Sequence, residues 1–213
     1  MTRPPNSETR YPGYDALANW ASPDWDDATR EAVRERVEAV PEVRFLTDAE
    51  ARTLRAAVDR VLPQPDRAEG DRVPIVPWID RQLDTDGGEG YRYEGVPPQR
   101  EAWRRALRGL DEAARAAHGA DFAVLGADAQ DAVLQTVADG HPEGDAWEGL
   151  DASRFFSDVL CDTVVRVYYA HPAAWSEIGY GGPASPRGHA RKWTGGRDRW
   201  EPRESPHPPS THD

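Results

Sequence analysis

The apolar positions of this chain recur at helical spacing, and no run alternates with period two between hairpin signals. Between Asp26 and Val40, the positions Ala28, Val33, Val37 and Val40 follow roughly helical steps, and Pro41 ends the run. Thr47 and Glu50 form a capping-box pair at the head of the next helix. That helix carries Leu54, Ala57, Val58, Val61 and Leu62 on one face and stops at Pro63. QPDRAEGDR is a loop, and Ile75, Trp78, Ile79 and Leu83 mark a short helix begun near Pro74 or Pro77. After a Gly- and Tyr-bearing loop over Asp86 to Pro98, a long helix carries Ala102, Ala106, Leu110, Ala113 and Ala117, with Gly119 as its C-cap. Ala127 to Ala138 turns Val133, Leu134 and Val137 inward, with Gly140 after it. Ala152 to Ala170 is the most apolar helix, carrying Phe155, Phe156, Val159, Leu160, Val164, Val167 and Tyr168.

The predicted fold is all-α: six or seven helices in a single irregular bundle. A long Gly/Pro/aromatic loop comes after the last long helix, and both termini are expected to be disordered. Residues 1–25 are rich in proline and polar groups and read as an extended arm without a core of its own, with Trp20 and Trp25 as isolated anchors. Residues 26–202 read as the helical domain and 203–213 as a disordered tail. No internal repeat recurs at a fixed period.

Composition narrows the function classes. A formal net charge of −12 argues against a nucleic-acid partner, which needs a basic footprint, and against an anionic membrane surface. Lys192 is the one lysine among 26 basic residues. No apolar run is long enough to span a bilayer. The opening MTRPPNSETRYPGYD has neither an apolar segment nor paired arginines. The expected location is therefore the cytoplasm, or export together with a signal-bearing partner.

Candidate chemistry is sparse. Gly179-Tyr-Gly181-Gly182-Pro-Ala184 has the spacing of a dinucleotide fingerprint, but a helix precedes it, and Pro183 and Pro186 disfavour the helix that such a turn must open. Asp84, Asp86 and Glu89 suggest a calcium loop, yet its sixth and twelfth positions hold Glu89 and Gly95 instead of glycine and glutamate. The six histidines have no zinc-motif spacing. Cys161, the single cysteine, lies among apolar neighbours and reads as a buried, inert thiol. No catalytic residue, cofactor site or metal site is expected in this chain.

The stretch from His171 to Gly188, HPAAWSEIGYGGPASPRG, carries more information. It is a long loop of specific composition after an apolar helix, the kind of place where function concentrates. Of 15 Trp and Tyr residues, six lie between Tyr168 and Trp200: Tyr168, Tyr169, Trp175, Tyr180, Trp193 and Trp200. Arg187, Arg191, Lys192, Arg197, Arg199 and Arg203 share that region, and Trp, Tyr and Arg dominate interface hot spots. The same aromatics could instead close the bundle.

This stretch, preceded by a helix ending VVRVYYA and followed by Trp200-Glu201, closely resembles the small subunit of gluconate 2-dehydrogenase, the subunit 3 family. The resemblance spans residues 45–202 and includes LTDAEARTLRAAVDRVLP, VPIVPWIDRQL, the GY before the long helix and FAVLGADAQDAVL. It implies a non-catalytic helical subunit that binds and stabilises a flavin-dependent large subunit of the glucose–methanol–choline type. That partner would carry FAD and oxidise sugars or sugar acids, with a cytochrome c subunit receiving electrons. Interface roles are carried onto His171, Trp175, Tyr180, Gly181, Gly182, Pro183 and Arg187. Export-competent members begin with a twin-arginine signal, and this chain departs from them there. Two other readings stay open: a free-standing enzyme using the 84–95 and 171–188 loops as a pocket, and a helical binding module for another protein. With no nucleophile, base pair or metal set in the sequence, the subunit reading is preferred.

Overall fold

The computed structural model describes residues 11–85, 94–184, 188 and 201–202. Among them there are helices and no strand, so the fold is all-α, as expected. The helices are α1 (Asp27–Glu38), α2 (Asp48–Val61), α3 (Ile75–Asp84), α4 (Gln99–His118), α5 (Ala127–Ala138), α6 (Ala152–Arg154), α7 (Asp162–Ala170) and α8 (Pro172–Trp175). Short 3₁₀ turns occur between them, and a π-helical segment, Phe155–Cys161, joins α6 to α7. The expected tail over 203–213 and the first ten residues lie outside the described residues.

Local chemistry sets the boundaries. The Thr47 hydroxyl accepts from Glu50 N while the Glu50 carboxylate accepts from Thr47 N, a complete capping box. Gly119 takes the left-handed conformation at φ 74° and returns its N–H to Arg115 O, ending α4. Gly140, at φ 79°, ends α5 in a Schellman turn, with His141 N donating to Thr136 O.

The chain divides into two compact units. The first runs from Pro41 to Val167. Here α4 is the central element, packed by α2, α5 and the 3₁₀ turn Asp145–Trp147. Its buried face is Ala102, Trp103, Ala106, Leu107, Leu110, Ala113 and Ala114, a period that returns every three or four residues. Gly109 sits in this face against Trp147; a Cβ there would be 2.5 Å from the indole Cε2. In the π segment, i→i+5 winding brings Phe155 and Leu160 to one side, and both are buried.

Three polar side chains inside this unit, Asp80, Gln64 and Asp111, take hydrogen bonds from the backbone. Asp80 is fully buried, and its carboxylate accepts from the N–H groups of Arg44, Phe45 and Leu46. That fixes the loop entering α2, where Arg100 and Arg104 lie over the Phe45 ring at 4.7 and 4.3 Å. Gln64 exchanges two hydrogen bonds with the Val73 backbone. Asp111 accepts from Phe122 N and Thr53 Oγ1, and its burial pushes its carboxyl above the ordinary range.

The second unit combines Met1–Val40 with Tyr168–Asp213. Its described part holds the 3₁₀ turn Ala16–Ala21, α1, the last turn of α7, α8 and the loop after it. Residues 11–25 are not the coreless arm expected from sequence. Ala16 and Trp25 are buried together with Val33 and Trp175, and Tyr14, Leu17 and Trp20 pack around them. The proline-rich composition had concealed a long-range cluster that no local periodicity announces. Asp15 caps the 3₁₀ turn and Asp26 caps α1. The predicted stripe of α1 divides: Val33 is buried, whereas Val37 and Val40 are exposed.

Candidate interaction surface

The stretch expected to be a loop opens with a short helix, α8. Pro172 occupies the first helical position, and His171 is the N-cap, its Nδ1 accepting from Ala173 N at 3.2 Å. The ring of His171 is buried. Trp175, four residues on, is 4 % exposed. Its Nε1 donates to Tyr169 O at 3.0 Å, which ties α8 to the end of α7. Trp25 meets the Trp175 ring edge-on at 6.4 Å, and Tyr180 meets it at 5.2 Å and 89°. With Trp20 against Trp25 at 6.1 Å, four aromatic rings form a continuous row.

The loop after α8 is held by its own backbone. Tyr180 N donates to Trp175 O at 3.0 Å, with Gly179 in the left-handed region at φ 67° between them. This reversal lays Tyr180 on Trp175. A side chain at Gly179 would strike Tyr11 Cζ at 2.7 Å and Pro202 Cγ at 2.9 Å. Ser176 Oγ accepts from Ala16 N at 3.0 Å, and Tyr168 OH donates to the Glu177 carboxylate at 2.9 Å. The segment is therefore anchored at both faces, not an open loop.

Above this packing lies a groove of about 520 Å³, lined by Ala32, Val33 and Arg36 from α1, by Tyr169 and Ala170, and by Trp175, Ile178, Tyr180 and Pro183. Its rim is apolar and open to solvent: Ile178 is 46 % exposed, Tyr180 43 % and Tyr169 38 %. Arg36 Nη1 donates to Ala170 O at 2.7 Å, closing the end of α7.

The residues expected at an interface thus occupy three kinds of place. Tyr180 is exposed and Pro183 half-buried, both in the groove wall. Trp175 lines the groove but is itself buried, His171 and Gly182 are buried outside its lining, and Gly181 is half-buried. Arg187 lies outside the described residues, as do Trp193 and Trp200. The sequence pointed to Tyr169 only as one of the aromatics of this region, and it did not single out Ile178 or Arg36. Ile178 is the one branched aliphatic between Pro172 and Gly188, a signal that was available. Arg36 carried none, because only the fold brings it to the carbonyl of Ala170.

The remaining candidates carry little chemistry. Gly179 to Ala184 comes after a helix, not a strand, so it lacks the setting of a phosphate-binding turn. Asp86, Glu89 and most of the 84–95 loop lie outside the described residues. Among the described residues, no three His, Cys, Asp or Glu side chains gather as a metal site. No helix described is long and apolar enough to cross a membrane. Cys161 is half-buried, less than expected, and burial pushes its thiol up and away from the reactive thiolate.

The most specific segment of this helical chain thus builds an exposed, largely apolar groove. The pattern of the gluconate 2-dehydrogenase subunit 3 family matches residues 48–182, and the chain belongs to that family. Neither the curated proteins nor the solved structures gave a match.

Proposed function

We propose that this chain is the non-catalytic small subunit of an oxidoreductase complex, binding and stabilising a flavin-dependent large subunit that oxidises sugars or sugar acids. The partner would be of the glucose–methanol–choline type and carry the FAD, with a cytochrome c subunit accepting electrons. Family membership supports a place in a dehydrogenase complex. The observation that carries the contact reading is the pairing of exposed Ile178 and Tyr180 with a buried support of Trp175 and Trp25. A rigid aromatic and an aliphatic residue on a preorganised base are what interface anchors require.

The test is purification of the tagged chain from its native cell, with mass spectrometry of the co-eluting proteins and an absorption spectrum. The expected result is a large flavoprotein in stoichiometric amount, with flavin bands that leave with the partner when the subunits are separated. Flavin or haem bands that stay with the isolated chain, or sugar oxidation by it alone, would overturn the reading.

A further inference from the structure

The groove has two walls of different origin. Tyr169, Ile178 and Tyr180 lie within the stretch matched by the family, whereas Val33 and Arg36 come from α1, ahead of residue 48. The lining is apolar except at Arg36 and the hydroxyls of Tyr169 and Tyr180, and Arg36 is its one charged residue. Two other arginines of α1 are ion-paired along the helix, Arg30 with Asp27 and Arg34 with Glu31. Arg36 is exposed and, among the described residues, has no carboxylate partner. One of its N–H groups is fixed on Ala170 O, and a guanidinium carries five. The side chain is therefore held in place at the groove mouth with donors to spare, in a chain that is otherwise strongly acidic.

We propose that this α1 wall selects the partner: Arg36 takes a carboxylate of the large subunit while an apolar side chain beside it enters the groove against Tyr180 and Ile178. An immobilised guanidinium next to an apolar slot fits an acidic–apolar pair on the docking protein, and it rejects a basic one. This rests on the flavoprotein partner argued above. It adds that recognition resides partly in residues that lie ahead of the family region.

The test uses the full chain and the flavoprotein that co-purifies with it. Affinity is measured at about 0.05 and 0.3 M salt, because an ion pair at a rim weakens with screening. Arg36→Gln is expected to bind about tenfold more weakly at low salt and to lose much of the salt dependence, a change of one order in Kd. Arg36→Lys keeps the salt dependence. Tyr180→Ala weakens binding at both salts and leaves the dependence intact. Val37→Glu, which removes no hydrogen bond of Arg36, should weaken binding most at low salt and serves if Arg36→Gln melts early. Arg36→Gln with wild-type affinity, or weakened with unchanged salt dependence, would overturn the proposal and leave Arg36 as a cap on α7. A wild-type chain that brings no flavoprotein would overturn the underlying reading, and this proposal with it.

Discussion

Gly182 rests against the indole of Trp25. A Cβ on Gly182 would collide with Trp25 Cζ2 and stand 3.0 Å from Cε2, and the glycine's φ of 84° is one that other residues rarely adopt. The contact joins two residues from opposite ends of the chain. Trp25 in turn holds Trp175 edge-on, and Trp175 carries Tyr180. The glycine of the GYGG run is therefore a packing requirement of this surface.

Gly182→Ala meets both penalties. Left-handed backbone costs an L-residue roughly 1–2 kcal/mol, and pushing a packed ring aside adds about 1–3 kcal/mol. Gly149→Ala is the control, since Gly149 has φ 71° and nothing within 4 Å of a Cβ. Thermal melts should show Gly182→Ala losing clearly more than Gly149→Ala. Equal losses would mean that the Trp25 contact contributes nothing.

Trp25→Ala should cost about 3–5 kcal/mol in the unit it belongs to, as removal of a buried aromatic does. Hydrogen exchange is the measurement, read at amides 168–182. Faster exchange there, with amides of α4 unchanged, is the expected pattern. Wild-type protection at 168–182 would show that residues 11–25 carry no core after all, as their composition suggested.

The contrast between the legible and the illegible parts of the sequence is one of range. Thr47 with Glu50, Gly119, Gly140 and Pro172 each act within one helical turn, and each marks an observed boundary. The π segment was not legible, because its apolar spacing is also that of an α-helix and nothing local marks the wider i→i+5 winding. Trp25 with Trp175, and Arg36 with Ala170, join residues from opposite ends of the chain. No local pattern encodes those meetings, so the groove they build is invisible to local pattern, although Tyr180 and Pro183 were among the candidates the sequence offered.

Asp111 gives a pH dependence of definite sign. Its carboxyl is raised first by desolvation and also by Asp121, while the Phe122 N–H, Arg115 and Thr53 oppose this. Folding thus favours the protonated form. That stabilisation is fully present below the unfolded-state value, near 3.9, and is lost as pH rises through the higher folded-state value. In denaturant titrations from about pH 3.5 to 6, wild type should lose stability relative to Asp111→Asn as pH rises through mild acid. A relative gain over the same range would show that the hydrogen bonds outweigh desolvation.

The central claim is that the groove rim docks a partner while its aromatic base holds the chain together. The most direct measurement sets Ile178→Asp with Tyr180→Ala against Trp175→Ala, recording the melt of each free chain and the flavoprotein retained after co-purification. The exposed pair should melt within a few degrees of wild type, a loss under about 1 kcal/mol, and retain little flavoprotein. Trp175→Ala should lower the melt and lose partner only in proportion. Full flavoprotein retention by a folded Ile178→Asp/Tyr180→Ala chain would contradict the account.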